Sequence, residues 1–492
     1  MDEVHELVVT IESHIPLVVI ESHDEARIQQ LFTHASVRLS KPVFSWSVTA
    51  GLLRLDGAST FATQTDSKAP EAMLDEIKAT TSPGIYLLMD FHPYVQDPLH
   101  TRMIKELALN YTNRAHTLVF VSHQFSIPEE LKRLSATFEL SLPSLDKLDK
   151  IVREEANAWS RDNPGRKVKT DSATFDLLIK NLKGVSVNDA RRLARKAIYD
   201  DGQITPEDIP RVAKAKYDML DMEGVLSFEY DTAKFSDVGG LQRLKRWLEQ
   251  RRGAFHGDLA AAGLDAPKGI MLLGVQGGGK SLAAKSVAGM WGIPLLRLDF
   301  GALYNRFYGE TERNLRQSLK IAEAMEPCVL WMDEIEKGLT TGEDGPSQRV
   351  LGTLLTWMAE RKTSVFMVAT ANDITSLPPE LMRKGRFDEI FFVDLPDTET
   401  RSVIFRIHLN LREHNPDTFD LPPLAAASTG FSGAEIEQAI VSGLYAAQAE
   451  NKALNTAILL DELQMTRPLS VVMAEKVSEL RQWAASRTVP AN

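Results

Sequence analysis

The stretch that decides the fold reads Gly274-Val275-Gln276-Gly277-Gly278-Gly279-Lys280-Ser281. It fits the pattern G-x-x-x-x-G-K-[ST] of a phosphate-binding loop, although a glycine-rich turn can match this pattern by chance. The apolar run 269–273 before it predicts a buried strand, and the run 282–290 after it predicts a helix. Glycines let successive N–H groups point into one concavity, and the helix dipole adds attraction for a polyphosphate. We expect Lys280 to contact the phosphates and the Ser281 hydroxyl to bind Mg²⁺.

Composition excludes several classes of protein. The chain has 492 residues, 43% of them hydrophobic and 25% charged, which is ordinary for a globular protein of about three domains. The net charge is −11, and both halves are acidic, which disfavours nucleic acid as the main partner. One cysteine, Cys328, excludes an internal disulfide and fits a reducing cytosol. No apolar run is long enough for a membrane helix, and residues 1–6 lack the positive start of a secretory signal.

The order of elements predicts two α/β bodies, each followed by helices. Continuous apolar runs at 15–20, 84–90 and 116–122 alternate with helical segments, which is typical of a parallel sheet covered on both faces. Residues 145–222 read as helical throughout. A basic stripe there is expected to be a solvated face, with contact to an acidic neighbour as the alternative; it comprises Arg191, Arg192, Arg195 and Lys196. The second body predicts strands at 270–274, 294–299, 328–333, 364–370 and 389–395.

Polar residues follow two of those strands. Asp333 and Glu334 end an apolar run about fifty residues after Lys280, and Asn372 ends the next run. A strand beside the phosphate loop would bring Asp333 near Mg²⁺ and Glu334 near an attacking water, as a general base. Asn372 could hydrogen-bond the γ-phosphate and the water, or it could simply cap the next turn.

Arg383 and Arg386 flank a glycine turn. Guanidinium groups suit phosphate recognition, so the two residues could act as arginine fingers on the nucleotide of a neighbouring subunit. The alternative is a surface ion-pair cluster with Asp388 and Glu389.

Six motifs in this order resemble the AAA ATPase module: the opening Asp237-Val238-Gly239-Gly240-Leu241, the phosphate loop, Asp333-Glu334, Asn372, Arg383 with Arg386, and Gly430-Phe431-Ser432-Gly433-Ala434. The resemblance covers about 235–455. It implies an α/β fold with a parallel sheet of order 5-1-4-3-2 and a helical lid, Mg²⁺ and ATP as cofactors, and a hexameric ring. The implied nucleotide contacts are Asp237, Val238, Gly239, Gly274, Val275, Gln276, Gly277, Gly278, Gly279, Lys280, Ser281, Leu282, Gly433 and Ala434.

The sequence departs from the usual family pattern at two places, and neither departure removes a catalytic group. The loop has Val275-Gln276-Gly277-Gly278 where the family mostly has Pro-Pro-Gly-Thr, and Lys384 stands where a proline is usual. The loop, together with Pro294-Leu295-Leu296-Arg297-Leu298-Asp299 and Leu330-Trp331-Met332-Asp333-Glu334-Ile335-Glu336-Lys337, is similar to the Ycf-type AAA proteins of cyanobacteria and algal plastids and their bacterial relatives. Arg306-Phe307-Tyr308-Gly309 resembles the central-pore loop of family members that grip an extended polypeptide, with Phe307 at the gripping position. Alternatively, Phe307 and Tyr308 pack into the body.

By the same resemblance, residues 1–222 form a degenerate AAA-like module with its own lid. The loop after the first strand, Glu21-Ser22-His23-Asp24-Glu25, has no glycine or lysine, so we expect no nucleotide there. Asp90, His92 and His123 follow strands, but their spacing matches no metal-ligand pattern, and we expect structural or surface roles.

The expected segments are a degenerate α/β domain without a phosphate loop (1–144), a lid-like helical subdomain (145–222), a linker (223–234), the ATPase core (235–397), its lid (398–455) and a helical tail (456–492). The expected function is a cytoplasmic Mg²⁺-dependent ATPase that self-associates into a ring and remodels or threads a protein. Glu334, Asn372, Arg383, Arg386 and Lys280 would be catalytic, and Ser281 and Asp333 would bind the metal. The alternatives are a nucleotide-switched scaffold acting through the N-terminal half and, less favoured, a nucleic-acid motor.

Overall fold

The structure, a computed structural model, describes residues 3–55, 67–220, 225–229, 238–255, 263–304, 310–339, 345–373, 376–383 and 385–492. The chain divides into two compact units, Met1–Leu142 and Pro143–Asn492. Each unit contains its own mostly parallel sheet. None of the described helices combines the length and apolar character that a membrane crossing requires.

The first unit is built on a six-stranded sheet of order β3-β2-β4-β5-β1-β6. All neighbours are parallel except the antiparallel pair β2 and β3. Without β3, the chain order across the sheet is 5-1-4-3-2. The strands are β1 (Leu17–Glu21), β2 (Val43–Ser47), β3 (Gly51–Arg54), β4 (Ile85–Met89), β5 (Thr117–Ser122) and β6 (Ser135–Thr137).

Helices cover both faces of this first sheet, since β4 and β5 are buried along their whole length. One face packs into a cluster around Trp46 and Phe91, and the other packs against α1 and α2. The sheet therefore confirms the α/β prediction from the continuous apolar runs. The helices are α1 (Glu3–Glu12), α2 (Glu25–Leu39), α3 (Pro70–Ala79), α4 (Pro98–Leu109), α5 (Tyr111–Arg114) and α6 (Glu129–Lys132).

The second unit begins with four helices around their own apolar core. The basic stripe on the third of them contacts an acidic neighbour, because Arg191 and Arg195 both pair with Glu155, which is buried on the first helix. The alternative interpretation of this stripe is therefore the correct one for these two arginines. The helices are α7 (Leu145–Asp162), α8 (Ser172–Asn181), α9 (Val187–Ile198) and α10 (Asp208–Met219).

A seven-stranded sheet forms the body of the second unit, in the order β13-β12-β8-β11-β10-β9-β7. Only β7 is antiparallel to its neighbour. The five central strands, β12-β8-β11-β10-β9, confirm the predicted order 5-1-4-3-2. The strands are β7 (Leu226–Glu229), β8 (Gly269–Gly274), β9 (Leu295–Leu298), β10 (Cys328–Met332), β11 (Val365–Ala371), β12 (Glu389–Val393) and β13 (Val489–Pro490).

Helices pack on both faces of this sheet and continue into a helical layer at the end of the chain. The layer extends beyond residue 455, because Leu459 and Leu463 of α20 belong to its core. The helices are α11 (Gln242–Phe255), α12 (Lys280–Trp291), α13 (Phe300–Tyr304), α14 (Glu310–Ala324), α15 (Ile335–Gly338), α16 (Gly345–Glu360), α17 (Thr398–Leu411), α18 (Leu421–Ala427), α19 (Gly433–Ala449), α20 (Thr456–Met465), α21 (Leu469–Val472) and α22 (Ala474–Ala484), with short 3-10 turns at Pro379–Met382 and Pro416–Thr418.

The residues after α22 return to the body instead of extending away from it. Val489 and Pro490 add a parallel strand beside β12, and the carbonyl of Ala491 accepts the backbone N–H groups of Arg243 and Leu244. The side-chain oxygen of Asn492 accepts the N–H of Leu241. The end of the described chain therefore lies against the segment that opens the second α/β body.

Candidate active site

The phosphate loop joins the end of β8 to the start of α12, as the sequence pattern requires. Gly277 and Gly279 have φ values of +75° and +92°, which L-residues with a Cβ rarely adopt. A Cβ at Gly274 would overlap the carbonyl oxygen of Val393 on the neighbouring strand. The loop thus brings its backbone and the N-terminus of α12 to a cavity of about 430 Å³, an arrangement that suits a phosphate group.

Lys280 is buried at the base of this loop. Its side-chain ammonium donates hydrogen bonds to the carbonyl oxygens of Gly274 (3.0 Å) and Val275 (2.8 Å). Burial lowers the pKa of Lys280 to about 8, although the carboxylates of Glu336 and Asp333 oppose the shift. A buried ammonium held by carbonyl oxygens at the entrance to a phosphate loop can turn to a phosphate that enters the cavity.

Oxygen donors meet beside the loop at the carboxyl ends of two parallel strands. The Ser281 hydroxyl donates to the Asp333 carboxylate (3.2 Å), which also accepts a hydrogen bond from the Thr370 hydroxyl (2.6 Å). A hydroxyl and one carboxylate, completed by phosphate oxygens and water, form a donor set that Mg²⁺ prefers. Ser281 and Asp333 therefore fit the predicted metal site.

Glu334 adopts a left-handed backbone conformation with φ +48°, which turns the chain sharply after β10. Its backbone N–H donates to the Thr370 hydroxyl (3.0 Å), and its carboxylate accepts the Asn372 side-chain amide (2.9 Å) and pairs with Lys337. Both Glu334 and Asn372 line the cavity. The structure therefore brings together the two residues that the sequence suggested for handling water.

Two further residues of this site were missed by the sequence analysis. Thr370 lies on β11 two residues before Asn372, so the period of two along a strand was the available signal. Glu336 is buried, and one carboxylate oxygen accepts the backbone N–H of Asn372 (2.9 Å) while the other has no hydrogen-bond partner among the described residues. Burial raises the pKa of Glu336, and no sequence pattern indicated that it would be buried.

The opening segment and the helical layer also contribute residues to the lining of the cavity. Val238 and Gly239 line it, as do Gly433 and Ala434 at the start of α19, so four of the predicted nucleotide contacts lie at the cavity. The lid and the loop are in contact, since the N–H of Ala434 donates to the Gly277 carbonyl (3.4 Å). Residues that the sequence did not indicate also line the cavity; they are Thr400, Ile404, Ile407, His408, Glu437 and Asn492.

Some predicted residues do not reach the cavity. Arg383 is exposed, and the Arg386 guanidinium donates to the carbonyl oxygen of Leu355. Neither arginine lines this cavity, and Gly274 and Val275, two of the predicted nucleotide contacts, do not line it either. Asp237, the predicted pore loop Arg306-Phe307-Tyr308-Gly309, and Lys384 lie outside the described residues.

Comparison with known proteins gives matches to three family models. Residues 3–140 match the SpoVK-like AAA ATPase N-terminal domain, and residues 146–223 match the SpoVK-like AAA ATPase second domain. Residues 270–395 match the ATPase family associated with various cellular activities (AAA). The last of these ranges contains the phosphate loop, Asp333, Glu334 and Asn372, so the match supports ATP binding and hydrolysis at the cavity described above.

The individual proteins that this chain is similar to agree with the family models. The AAA domain-containing protein ycf46 of Guillardia theta is 35% identical, with 99% of this chain and 96% of that protein covered. The ycf46 protein of Pyropia yezoensis is 34% identical, with 98% of each chain covered. The proteasome-activating nucleotidase of Aeropyrum pernix is 30% identical over 57% of this chain and 70% of its own length. The chain therefore belongs to the AAA ATPase family, among proteins with SpoVK-like AAA domains.

Proposed function

We propose that the cavity of the second unit hydrolyses Mg²⁺-bound ATP and that the chain performs this reaction as a ring of subunits, in order to remodel a protein. The observation that carries the hydrolysis proposal is the convergence of the phosphate loop, Asp333, Glu334, Asn372 and the lid turn on one cavity. The segment boundaries expected from the sequence remain part of this proposal, except that the helical layer after the ATPase core continues into α20.

Each residue has a distinct part in the proposed reaction. The ammonium of Lys280 leaves the loop carbonyls and binds the β- and γ-phosphates, with backbone N–H groups of the loop around them. Ser281 and Asp333 would hold Mg²⁺, which would supply positive charge to stabilise the phosphates. The Thr370 hydroxyl keeps the Asp333 carboxylate in place through its 2.6 Å hydrogen bond.

Glu334 is the proposed general base. A water held between Glu334 and Asn372 loses its proton to the Glu334 carboxylate as its oxygen forms a bond to the γ-phosphorus. The bond from that phosphorus to the bridging oxygen breaks, and ADP and phosphate leave. The proposal is supported by the 2.9 Å hydrogen bond between the two side chains, since both groups lie together at the wall of the cavity.

Ring formation is supported by the positions of Arg383 and Arg386. Arg383 is exposed and does not line the cavity of its own subunit, so its guanidinium is available to a neighbour. Arg386, although it is tied to Leu355, is three residues further along the same exposed turn. We propose that one or both complete the neighbouring site in a hexamer. The similarity to a proteasome-activating nucleotidase supports a ring that handles protein substrates.

The proposed substrate is an unfolded or partly unfolded protein, gripped by Phe307 in the central pore. The acidic balance of the chain disfavours nucleic acid. The single cysteine fits a reducing compartment, and we propose the cytoplasm as the site of action. A nucleotide-switched scaffold that acts through its N-terminal half is the second candidate, because that half has its own fully formed sheet.

The first experiment tests hydrolysis. We expect Glu334→Gln to lower kcat by about 10²- to 10⁴-fold while ATP still binds, since only the proton acceptor is removed. The matched control is Glu360→Gln, which changes an exposed carboxylate at the end of α16. A Glu334→Gln variant that turned over at the parent rate would contradict the assignment.

The second experiment tests the ring. We expect Arg383→Ala to lower kcat by about 10³-fold without loss of nucleotide binding, because an arginine finger acts on the transition state. Arg349→Ala, at an exposed position on α16, is the control. Light scattering of the Glu334→Gln variant in ATP should give six times the 54.8 kDa chain mass. A monomer under these conditions would rule out the ring.

The third experiment separates threading from switching. With casein as an unfolded probe, a threading enzyme should show casein-stimulated hydrolysis, and Phe307→Ala should abolish the stimulation while basal hydrolysis remains. A switch should be indifferent to this substitution. Capture on the Glu334→Gln variant in ATP, followed by mass spectrometry, would then identify the natural substrate.

A further inference from the structure

The first unit carries a histidine cluster at the carboxyl edge of its sheet. Strands β4, β5 and β1 are adjacent and parallel, so the residues that follow them meet at one edge. Asp90 and His92 follow β4, His123 follows β5, and His23 follows β1. In open parallel sheets this edge is where ligands usually bind. The spacing along the sequence matched no ligand pattern because the three strands are far apart in the chain.

Three of these side chains are within reach of one ion. Ligand atoms of Asp90, His92 and His123 all lie within 4.8 Å of one another, and among the described residues this is the one such group of three. His92 Nδ1 is 3.9 Å from an Asp90 carboxylate oxygen. A tetrahedral zinc site with bonds of about 2.0–2.1 Å brings ligand atoms to about 3.3 Å from each other. Asp90 is exposed, so its carboxylate can rotate to close this difference.

The state of His92 gives an independent indication of a ligand. Its Nδ1 atom is buried from solvent and has no hydrogen-bond partner among the described residues. A buried polar atom without a partner is unfavourable, and this cost disappears if the atom binds an ion. The neighbouring atoms that could bind the same ion are a carboxylate oxygen of Asp90 and an imidazole nitrogen of His123.

The local structure holds these groups in place. Asp90 has a left-handed backbone with φ +51°, an uncommon conformation for a residue other than glycine that turns the chain at the end of β4. The ring of His123 lies edge-on to His92 at 4.9 Å and is stacked on His23 at 5.7 Å. His23 therefore limits the rotation of His123 and acts as a positioning residue.

From this geometry we propose that Asp90, His92 and His123 bind a divalent first-row transition metal ion, with zinc as the expected occupant. Two imidazoles and one carboxylate suit Zn²⁺ and its neighbours, whereas Mg²⁺ and Ca²⁺ prefer oxygen ligands alone. Three protein ligands leave at least one coordination position open to water or to a group of a partner. The site lies within the first unit and does not depend on the proposed ATPase mechanism.

The experiment uses the tag-free, full-length chain after treatment with a chelator, without nucleotide. Calorimetric titration with Zn²⁺ should show one site per chain with a dissociation constant in the micromolar range or below. Titration with Co²⁺ should give the intense visible absorption of a four-coordinate nitrogen and oxygen site. His92→Ala and His123→Ala should each weaken Zn²⁺ binding at least tenfold, and His34→Ala, an exposed histidine of α2, should not.

Two outcomes would overturn the proposal. One is the absence of a stoichiometric Zn²⁺ site in the parent chain, a result that needs no variant. The other is binding that His92→Ala and His123→Ala leave unchanged while Asp333→Asn removes it, because the ion would then occupy the nucleotide cavity. Circular dichroism of each variant checks that the first unit is still folded.

Discussion

The two sheets of this chain share one strand order and differ at the residues that follow the strands. In both, five parallel strands run 5-1-4-3-2. After the first of these strands, the second unit has a glycine loop with Lys280, whereas the first unit has a short turn with His23. After the third strand, one unit has Asp333 and Glu334, and the other has Asp90 and His92.

The same sheet can therefore carry different ligand-binding residues in the loops that follow its strands. Buried apolar strands determine the sheet, because their pairing and packing do not depend on the loops after them. The carboxyl edge determines the ligand, because side chains from distant parts of the sequence meet only there. One edge carries glycines and a buried lysine that suit a polyphosphate, and the other carries imidazoles that suit a metal ion.

The largest effect is expected on nucleotide binding, which tests whether one unit or both units bind ATP. We expect the parent chain to bind one nucleotide and Lys280→Ala to weaken ATP binding at least ~100-fold, about 3 kcal/mol, because a charged hydrogen-bond donor to phosphate is lost. Equilibrium dialysis with labelled ATP measures both quantities, and Lys362→Ala, an exposed lysine in the same unit, is the control. Residual stoichiometric binding by Lys280→Ala would mean that the first unit binds nucleotide too.

A second test concerns the glycine that starts the loop. Gly274→Ala should destabilise the second unit by about 1–3 kcal/mol, because the new methyl group meets the Val393 carbonyl on β12. Gly352→Ala on α16 is a suitable control, since no described atom lies within 4 Å of the added carbon and alanine favours a helix. Thermal unfolding should therefore show a lower melting temperature for the first variant only. The first unit ends its corresponding strand with Glu21, so a side chain is accommodated at that position there.

A third test concerns a residue that acts through another one. Thr370→Val should lower kcat about tenfold, because valine cannot donate to Asp333 or accept the N–H of Glu334. Thr370→Ser retains the hydroxyl and should restore most of the rate. Steady-state ATP hydrolysis at varied Mg²⁺ concentrations measures kcat and the apparent Mg²⁺ affinity. Both should fall in Thr370→Val. Equal rates for the valine variant and the parent would remove Thr370 from the site.

The smallest expected effect is a change in nucleotide affinity with pH. Burial lowers the pKa of Lys280 from an ordinary 10.5 to about 8, so the empty site holds the charged form below pH 8 and loses the charge above it. Nucleotide affinity should therefore be full near pH 7 and fall about three- to tenfold by pH 9, as followed by fluorescent ADP titration. Lys280→Arg should flatten the profile, because arginine stays charged. A flat profile for the parent chain would show that the loop keeps Lys280 charged.

Much of the second unit could be predicted because its signals are local. The loop pattern 274–281, the carboxylates after β10 and the amide after β11 each occur within a few residues of a recognisable apolar strand. Glu336 and the segment around Asn492 could not be predicted in this way. Burial of Glu336 depends on the packing of the turn after β10, and Asn492 reaches the cavity only because β13 pairs with β12.

The sequence by itself determined the two α/β bodies, the helical segments between them, the phosphate loop and the AAA family. Those features rest on residue patterns that are contiguous along the chain or occur in a characteristic order. The structure establishes that the first unit repeats the strand order of the second, as the resemblance implied. The meeting of His92 and His123 with Asp90 at its edge could be seen only in the tertiary structure. Parallel strands bring their carboxyl ends together regardless of their separation in sequence, and such a meeting leaves no fixed spacing to read.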